Sequence, residues 1–439
     1  MEAILFDRYG INFTLVEVNS TIALSHPSCP GNIIFDQLNS DFLMVGGKLL
    51  FGVWNPEAEG WSSVMNLPIP MPGMLPVKGD LIEKLDEDYL IHYDILGLAY
   101  WMLTRVEEVG CSDLDVHGRF QASSSHAYKY GYLNRPIVDE WFGVLGQVIE
   151  RQWHEVTLKR REFRVKVSHD VDLPSRYGFK TWSRLVRIMA GDILIRGDFN
   201  ALAAPLIKLK TKNKMWSRDP YNNMKKIMDL SDKYNIKSAF YFISGCTDVS
   251  KDSDYTLDHP AIQSLMIEID SRNHEIGLHP SYGASLDSAA FFSEVDNLKE
   301  TMISLGIRVK KIGGRMHYLR FTAPETFRLW GDSSFLQYDS SLGYADHSGF
   351  RAGTAVPYIY FDPIKKCQVD IVIQPLIAME VSVTSPSYQN LGLGNLALKQ
   401  FLELKNTCRK VGGDFTLLWH NSNMVDNQSF ELYEAVLRG

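Results

Sequence analysis

The sequence predicts an α/β fold in which a β/α barrel, complete or incomplete, follows a smaller α/β domain. After about residue 160, some seven short apolar segments alternate with segments of helical periodicity, the pattern of βα units that bury a parallel sheet. Nearly every apolar segment ends in polar side chains. A closed barrel gathers all its carboxyl strand ends on one face, where active sites form, whereas an open sheet spreads them along an edge. The polar strand ends therefore favour the barrel.

Composition is that of a globular protein with room for a sizeable core. The chain has 439 residues, 45% of them hydrophobic and 22% charged, which predicts two or three domains. Its net charge of -7 provides no basic field, so we expect no nucleic-acid partner. No long apolar run predicts a membrane span, and the first residues do not resemble a secretory signal. Five scattered cysteines without a CxxC pair fit reduced thiols, so we expect a cytoplasmic protein.

We place a domain boundary near residue 160, giving an accessory domain over 1–160 and the barrel over 161–439. The segment 88–109 has apolar residues at helical spacing, and 135–153 predicts a second helix. A polar link, 154–162, then leads into the first barrel strand. Aromatic and basic residues at 128–135 either contribute to substrate binding or pack against the barrel.

The barrel strands are predicted from apolar segments bounded by turn residues. They are 164–170, 238–244, 274–279, 309–318, 335–341, 369–377 and 415–421. Between them, Asp219 followed by Pro220 predicts the start of a helix. Another amphipathic helix is predicted to stop at Gly306.

Ionisable side chains at five strand ends point to a metal site and hydrolytic chemistry. They are Asp170 with Asp172, His279, Arg315 with His317 and Tyr318, Asp339, and His420. Any one of them could be a helix cap or a satisfied core residue, but their joint placement favours a functional face. Asp and His are ligands that suit a divalent ion such as zinc. The chain has no HExxH, Walker A or GxSxG motif, so metal-assisted hydrolysis fits best.

Four segments in order resemble the motifs of the polysaccharide deacetylases of carbohydrate esterase family four. They are "VSHDVD", "NHEIGLHPSY", "GGRMHYLR" and "LLWHN", and the resemblance covers roughly residues 163–425. It implies a distorted (β/α) barrel of about seven strands that removes N- or O-acetyl groups from sugars with zinc or a similar ion. The segments 92–108 and 117–141 resemble the N-terminal domain that precedes such deacetylases in some bacterial surface-polysaccharide proteins.

The resemblance also implies roles for individual residues. Asp170 matches the catalytic base, and Arg315 matches the arginine that holds this base. Tyr318 matches the residue whose backbone N–H helps to form the oxyanion hole. His420 matches the general acid toward the leaving amine.

Asp339 or Asp346 could orient His420, and the sequence does not choose between them.

The metal ligands depart from the pattern that the resemblance implies. Asp172 and His279 match two ligands, but Gly283 occupies the position of the usual second histidine, four residues after the first. Catalytic zinc generally has three protein ligands, so a third is needed. We predict His317, which stands where the family normally has proline, although a hydrogen bond from His317 to the substrate is an open alternative. His169 and His274 are weaker candidates because of their positions along their strands.

These features predict a metal-dependent hydrolase that acts on C–N bonds other than peptide bonds. Its expected substrate is an acetylated sugar, a nucleotide-sugar or a lipid-linked sugar in surface polysaccharide biosynthesis. Gly283 keeps open a catalytically silent carbohydrate-binding barrel. A third possibility is a related amide or formyl hydrolase, because the same oxyanion hole serves any amide.

Overall fold

The computed structural model describes residues 1–75, 79–308 and 311–439. We call residues 1–153 the N-terminal region. Its elements in chain order are α1 (Glu2–Tyr9), β1 (Thr14–Val18), β2 (Thr21–Ser25), β3 (Asn32–Phe35), β4 (Phe51–Trp54), β5 (Ile69–Pro72), β6 (Ile82–Lys84), β7 (Tyr89–Ile91), α2 (Ile95–Thr104), α3 (His126–Lys129) and α4 (Ile137–Gln152). Strands β1, β2, β3, β7 and β6 form one sheet in that order, and β4 pairs with β5.

The rest of the chain forms the β/α region. Its elements are β8 (Arg164–Val171), α5 (Trp182–Leu194), α6 (Ala204–Lys210), α7 (Met224–Lys233), β9 (Ala239–Phe242), α8 (Pro260–Ser271), β10 (Glu275–Leu278), α9 (Ser288–Ser304), β11 (Ile312–Gly314), α10 (Glu325–Gly331), β12 (Leu336–Asp339), β13 (Tyr358–Asp362), β14 (Cys367–Ile373), β15 (Ala378–Met379), α11 (Glu380–Thr384), α12 (Asn395–Lys410), β16 (Asp414–Leu418) and α13 (Asn427–Arg438).

In the described part of the chain this region builds one sheet of nine strands, and not the predicted seven. Their order is β13-β14-β12-β11-β10-β9-β8-β16-β15, and all neighbours are parallel except β13, which runs antiparallel to β14. The two edge strands do not pair with each other, so the sheet is a curled half-barrel. A strand overlaps each of the seven predicted segments, and the additional strands are β13 and the two-residue β15.

Two predicted helices begin later than expected because polar groups make other contacts. The segment 88–109 first adds strand β7, which pairs with β3 and β6, and Asp94 then caps α2 by accepting from the Gly97 N–H at 2.6 Å. Asp219 does not cap a helix: its carboxylate accepts from Ser175 and from the N–H groups of Arg176 and Tyr221, and the chain that follows it forms a turn. Helix α7 therefore begins at Met224. Of the predicted strand 309–318, residues 309 and 310 lie outside the described residues.

One buried apolar cluster extends through both regions, so the N-terminal region packs directly on the sheet. Arg351 and Glu108 form a buried ion pair across this contact, with Nη2 and Oε2 2.6 Å apart. Within 128–135, Tyr130 and Tyr132 stack on Phe51 of the N-terminal region. The domain boundary at residue 160 stays a prediction. Among the described residues, no helix has the length and apolar character needed to cross a membrane.

Candidate metal centre and catalytic residues

The candidate site lies at the carboxyl ends of the central parallel strands. Asp170 and Asp172 are at the end of β8, which pairs with β9 and β16. His279 follows β10, and His420 follows β16 after one residue. Because these strands are parallel neighbours, the side chains that follow them meet over one end of the sheet. A cavity of about 370 Å³ opens there.

Asp172, His279 and His317 form a group that could hold a metal ion, since one ligand atom of each lies within 4.8 Å of the other two. Nε2 of His279 is 3.2 Å from Oδ1 of Asp172, and Nε2 of His317 is 3.8 Å from the same oxygen. Both histidines are buried. His317 reaches this position from a short 3-10 turn, His317–Leu319, that follows β11. Two ring nitrogens and one carboxylate are a ligand set found in catalytic metal sites.

The hydrogen bonds of the two histidines leave their Nε2 atoms available to a cation. Nδ1 of His279 is 2.6 Å from the Arg315 carbonyl oxygen, and Nδ1 of His317 is 3.0 Å from Oδ1 of Asp252. Both acceptors require a proton on Nδ1, so the lone pair is on Nε2. Nε2 of His279 and Oδ1 of Asp172 are buried and have no hydrogen-bond partner among the described residues. Such unpaired polar atoms fit a bound ion, because burial without a partner is costly.

The charges around Asp172 favour its ionised form. Burial alone would raise the pKa of Asp172, but the neighbouring His317, His279 and His420 outweigh it and hold the pKa well below its usual range. The pKa of His279 is raised, because Asp170 and Asp172 outweigh the effect of burial. A negative ligand surrounded by imidazoles is the electrostatic environment that a divalent cation complements.

Asp170 lies beside this group and is held by Arg315. Nη1 of Arg315 donates to Oδ1 of Asp170 at 2.7 Å, and Nη2 donates to Oγ of Ser168 at 2.8 Å. Nε donates to the carbonyl oxygen of Ser340 at 2.9 Å, so the buried guanidinium is fixed on three sides. The other carboxylate oxygen of Asp170, Oδ2, is 3.6 Å from Nε2 of His279. This oxygen is free to face the cavity.

His420 faces the two aspartates from the carboxyl end of the neighbouring strand β16. Its Nε2 is 4.0 Å from Oδ2 of Asp170 and 3.8 Å from Oδ2 of Asp172. Its Nδ1 is 2.7 Å from Oε1 of the buried Glu380. Burial would lower the pKa of His420, but Glu380 and the two aspartates raise it to about 10. The imidazole is therefore protonated near neutral pH.

The residue that orients the His420 ring is Glu380, and not Asp339 or Asp346 as expected. The Asp339 carboxylate accepts from the Ser341 N–H, and Asp346 accepts from the Ala122 N–H and contacts the His347 ring. Glu380 begins α11 directly after the two-residue strand β15. No periodic pattern marks so short a strand, so this partner could not be predicted from the sequence.

Gly283, His169 and His274 lie outside the candidate metal group. Gly283 packs against Thr247, and a Cβ at this position would lie 2.9 Å from the Thr247 Cβ, which explains why a larger residue is absent there. His169 is directed away from the site, with Nδ1 2.7 Å from the Trp419 carbonyl oxygen. His274 lies at the amino end of β10, 3.4 Å from Asp232. Neither histidine reaches the group formed by Asp172, His279 and His317.

Tyr318 lines the cavity and has a left-handed backbone conformation, with φ 60° and ψ 14°. No described residue accepts a hydrogen bond from its backbone N–H. Its carbonyl oxygen accepts from Nη1 of Arg119 at 2.8 Å. Arg119 belongs to the N-terminal region and also lines the cavity, and no sequence motif marks it as a site residue.

Like Glu380 and Arg119, Asp252 is a site residue that no sequence pattern indicates. It lies in the irregular segment between β9 and α8 and is buried. Besides the His317 ring, it accepts from the N–H groups of Thr247, Asp248 and Tyr282 at 2.7–2.8 Å. These bonds lower the pKa of Asp252 to about 2, against the effect of burial.

Comparison with known proteins identifies a match in the N-terminal region. Residues 2–154 match a family described as "Family of unknown function (DUF7033)". No curated protein sequence matches the chain.

Three solved structures are similar to the chain at low identity. A Mycobacterium smegmatis protein assigned as a polysaccharide deacetylase aligns with TM-score 0.40 and 16% identity over 64% of this chain and 84% of its own. PuuE allantoinase aligns with TM-score 0.36 and 12% identity over 63% and 84%. Agd3, a carbohydrate deacetylase, aligns with TM-score 0.30 and 10% identity over 69% and 54%. At these TM-scores the similarities define no activity for this chain.

Proposed function

We propose that this protein is a metal-dependent deacetylase that removes an N-acetyl or O-acetyl group from a sugar. The observation that carries the proposal is the position of Asp170. Its Oδ2 lies 3.6 Å from Nε2 of the candidate ligand His279 and 4.0 Å from Nε2 of His420. A carboxylate between a candidate metal site and a protonated imidazole is an arrangement suited to amide hydrolysis, because it places a general base and a general acid on either side of the reacting group.

Asp172, His279 and His317 would hold the metal ion, and two nitrogens with one carboxylate oxygen favour zinc. When bound, such an ion polarises the acyl carbonyl and makes water a better nucleophile. Asp170 takes a proton from the attacking water, and Arg315 keeps its carboxylate in place. The backbone N–H of Tyr318 donates to the oxygen that gains negative charge.

His420 completes the reaction by giving a proton to the leaving nitrogen. The carbon–nitrogen bond then breaks, and the products are acetate and a free amine. Glu380 holds Nδ1 of His420 at 2.7 Å, so that Nε2 faces the cavity. The raised pKa of His420 supports this role, because the acid must be protonated before the bond breaks.

The proposed substrate is an acetylated sugar, a nucleotide-sugar or a lipid-linked sugar, processed in the cytoplasm during surface polysaccharide biosynthesis. The resemblance of the four sequence motifs supports the sugar and the acyl group. The cavity also has a suitable size, since ligand sites in proteins commonly measure about 300–1,000 Å³.

Acetate release from purified protein tests the proposal. The protein is loaded with zinc and incubated with N-acetylated sugars and nucleotide-sugars, a formylated amine and a cyclic amide. Acetate from at least one sugar, and none after metal removal by a chelator, is expected. Asp170→Asn is the matched control, because it keeps the candidate ligands. Turnover of the formylated amine or the cyclic amide alone would favour a different C–N hydrolase.

Metal analysis separates the enzyme from a silent carbohydrate-binding barrel. That alternative rests on Gly283, which has no ligating side chain. Three ligand atoms nevertheless come together, from Asp172, His279 and His317. Protein purified without chelator is expected to carry one divalent ion per chain. Protein that binds no ion and releases no acetate from any sugar would overturn the proposed deacetylase.

A further inference from the structure

The N-terminal region contacts the segment that carries two proposed functional groups. His317 and Tyr318 lie in the turn 316–320, which connects β11 to the segment before α10. Arg119 and Tyr318 both line the cavity, although Arg119 belongs to a different part of the chain. The residues 115–119, which we call the 115–119 loop, therefore contribute to the wall of the candidate site through Arg119.

The turn 316–320 has an unfavourable backbone conformation. Tyr318 has φ 60° and Leu319 has φ 53°, and neither is glycine. Left-handed conformations of such residues are unfavourable and persist only where the surroundings enforce them. On its amino-terminal side the turn is fixed by the Met316 N–H, which donates to Oγ of Ser341 at 2.8 Å. The carbonyl oxygen of Tyr318 and the side chain of Arg320 form hydrogen bonds with a distant part of the chain.

The 115–119 loop supplies those contacts. Nη1 of Arg119 donates to the Tyr318 carbonyl oxygen at 2.8 Å, and Nε of Arg320 donates to the His117 carbonyl oxygen at 3.0 Å. The rings of His117 and Tyr318 are 4.8 Å apart. Nδ1 of His117 is also 3.1 Å from the Tyr282 hydroxyl oxygen. The loop thus contacts the turn at Tyr318 and Arg320, whereas Ser341 holds its amino-terminal side.

Asp115 makes the loop rigid enough for this role. Its Oδ1 accepts from the N–H groups of His117 and Arg119, at 2.8 and 2.9 Å. Its Oδ2 accepts from Nε of Arg119 at 2.8 Å, which fixes the guanidinium before it reaches Tyr318. Both side chains are largely buried. Because Asp115 already fixes the Arg119 guanidinium, it loses little conformational entropy when it binds the Tyr318 carbonyl oxygen. The contact can therefore hold this backbone group in place.

We infer that the N-terminal region completes the active site, with Arg119 as a positioning residue. It holds the turn 316–320, so that His317 faces Asp172 and the Tyr318 N–H keeps its place at the cavity. This gives a function to the region that matches a family of unknown function. The inference deepens the proposed function and rests on it for what concerns turnover.

The test compares Arg119→Ala with Arg135→Ala. Arg135 is a matched control, because it also pairs with a carboxylate, that of Glu140, and donates to a carbonyl oxygen, that of Pro68, within the N-terminal region. It does not line the cavity. Arg119→Lys is the second variant, in case Arg119→Ala does not fold. Its ammonium keeps the charge beside Asp115 but cannot bridge both partners as the guanidinium does.

Three measurements are made on the full chain: hydrogen exchange of the amides of Leu319 and Arg320, zinc affinity by competition with a chelator, and acetate release. Both amides donate within the turn, to the carbonyls of Met316 and His317. We expect faster exchange and about 10–100-fold weaker zinc binding in the Arg119 variants, the usual cost of losing support for a ligand, with acetate release reduced. Arg135→Ala should leave all three unchanged.

Wild-type exchange and zinc affinity in an Arg119 variant would overturn the inference. Equal effects of Arg119→Ala and Arg135→Ala would also overturn it, because they would show a general loss of stability. If the unaltered protein binds no zinc and releases no acetate, the proposed function fails. The exchange rates would still decide whether the 115–119 loop holds the turn.

Discussion

Nδ1 of His317 lies 3.0 Å from Oδ1 of Asp252, a residue 65 positions earlier in the chain. The Asp252 side chain is itself fixed by three backbone N–H groups, from Thr247, Asp248 and Tyr282. A carboxylate held in this way sets the orientation of the imidazole and makes Nε2 a stronger ligand. Asp252 therefore stabilises the proposed position of His317 beside Asp172.

Replacing Asp252 should weaken metal binding without removing a ligand. We expect Asp252→Asn to lower zinc affinity by about 10–100-fold, because the amide is a weaker acceptor for the His317 ring. Chelator competition measures this. Asp248→Asn is the control, since Asp248 lies in the same segment and pairs with Lys251. Equal zinc affinity in Asp252→Asn and the unaltered protein would show that Asp252 has no part in holding the ligand.

His317 should be the third metal ligand. We expect His317→Ala to lose stoichiometric zinc, whereas His169→Ala should retain it, because the His169 ring is directed toward the Trp419 carbonyl. Anomalous diffraction at the zinc edge should place the ion about 2.0–2.1 Å from a His317 ring nitrogen. A distance of more than about 3 Å would remove His317 from the ligand set.

Asp170 should act as the base and not as a tight ligand. We expect Asp170→Asn to reduce turnover by a factor on the order of 100 to 10,000, as for a lost general base, while the zinc content stays at one ion per chain. Acetate release and metal analysis on the same sample measure both. Loss of the ion in this variant would instead place Asp170 among the ligands.

The central strands and their polar ends were predictable because both signals are local. An apolar segment bounded by turn residues is visible in a window of a few residues, and a strand overlaps each of the seven predicted segments. Asp172, His279 and His317 could be placed near one another because parallel strands share a carboxyl end. The structure brings their ligand atoms within 4.8 Å.

The supporting residues were not predictable because their partners are distant in sequence. Asp252 lies in an irregular segment, and Glu380 follows a strand of two residues. The antiparallel strand β13 was missed because it adds to the edge of the sheet beside β14, outside the regular βα alternation. Asp219 followed by Pro220 has the sequence pattern of a helix start. The sequence does not show that the Asp219 carboxylate accepts from Ser175 and Arg176, which lie 44 and 43 residues earlier.

Glu380 should control the pH range in which His420 can donate a proton. Although burial would lower the pKa of His420, Glu380 helps to raise it to about 10. In Glu380→Gln the negative charge is lost, so the pKa falls and the protonated acid disappears at lower pH. We expect the alkaline limb of the kcat/KM profile to move to lower pH. An unchanged profile would show that the charge of Glu380 does not act on the step that limits kcat/KM.

His420 should matter more for amides than for activated esters. The nitrogen of an amide leaves only after it gains a proton, whereas an activated alcohol leaves as an anion. We expect His420→Ala to slow hydrolysis of N-acetyl sugars by about 100-fold or more, the usual contribution of a general acid, and that of an activated acetate ester much less. Equal losses on both substrates would assign His420 a role in binding or packing.

Asp339 should make the protein less stable as the pH rises. Burial raises the pKa of Asp339 to about 7, although the bonds from Ser341 and the charge of Arg315 oppose this rise. A carboxyl group whose pKa is higher in the folded state binds its proton more tightly there. Its contribution to stability is therefore full below the unfolded pKa of about 4 and is lost as the pH rises through about 7. The loss amounts to at most about 4 kcal/mol.

Asp339→Asn should remove this dependence, because the amide resembles the protonated acid and can still accept from the Ser341 N–H, which donates to Oδ1 at 3.0 Å. We expect urea unfolding to show a larger gain of the variant over the unaltered protein at pH 8 than at pH 5. The metal-free form is used at both pH values, so that metal binding does not contribute. A difference between the two proteins that is the same at pH 5 and pH 8 would mean that the folded and unfolded states bind the Asp339 proton equally. In that case the buried carboxyl would be ionised and stabilised by Arg315 and Ser341.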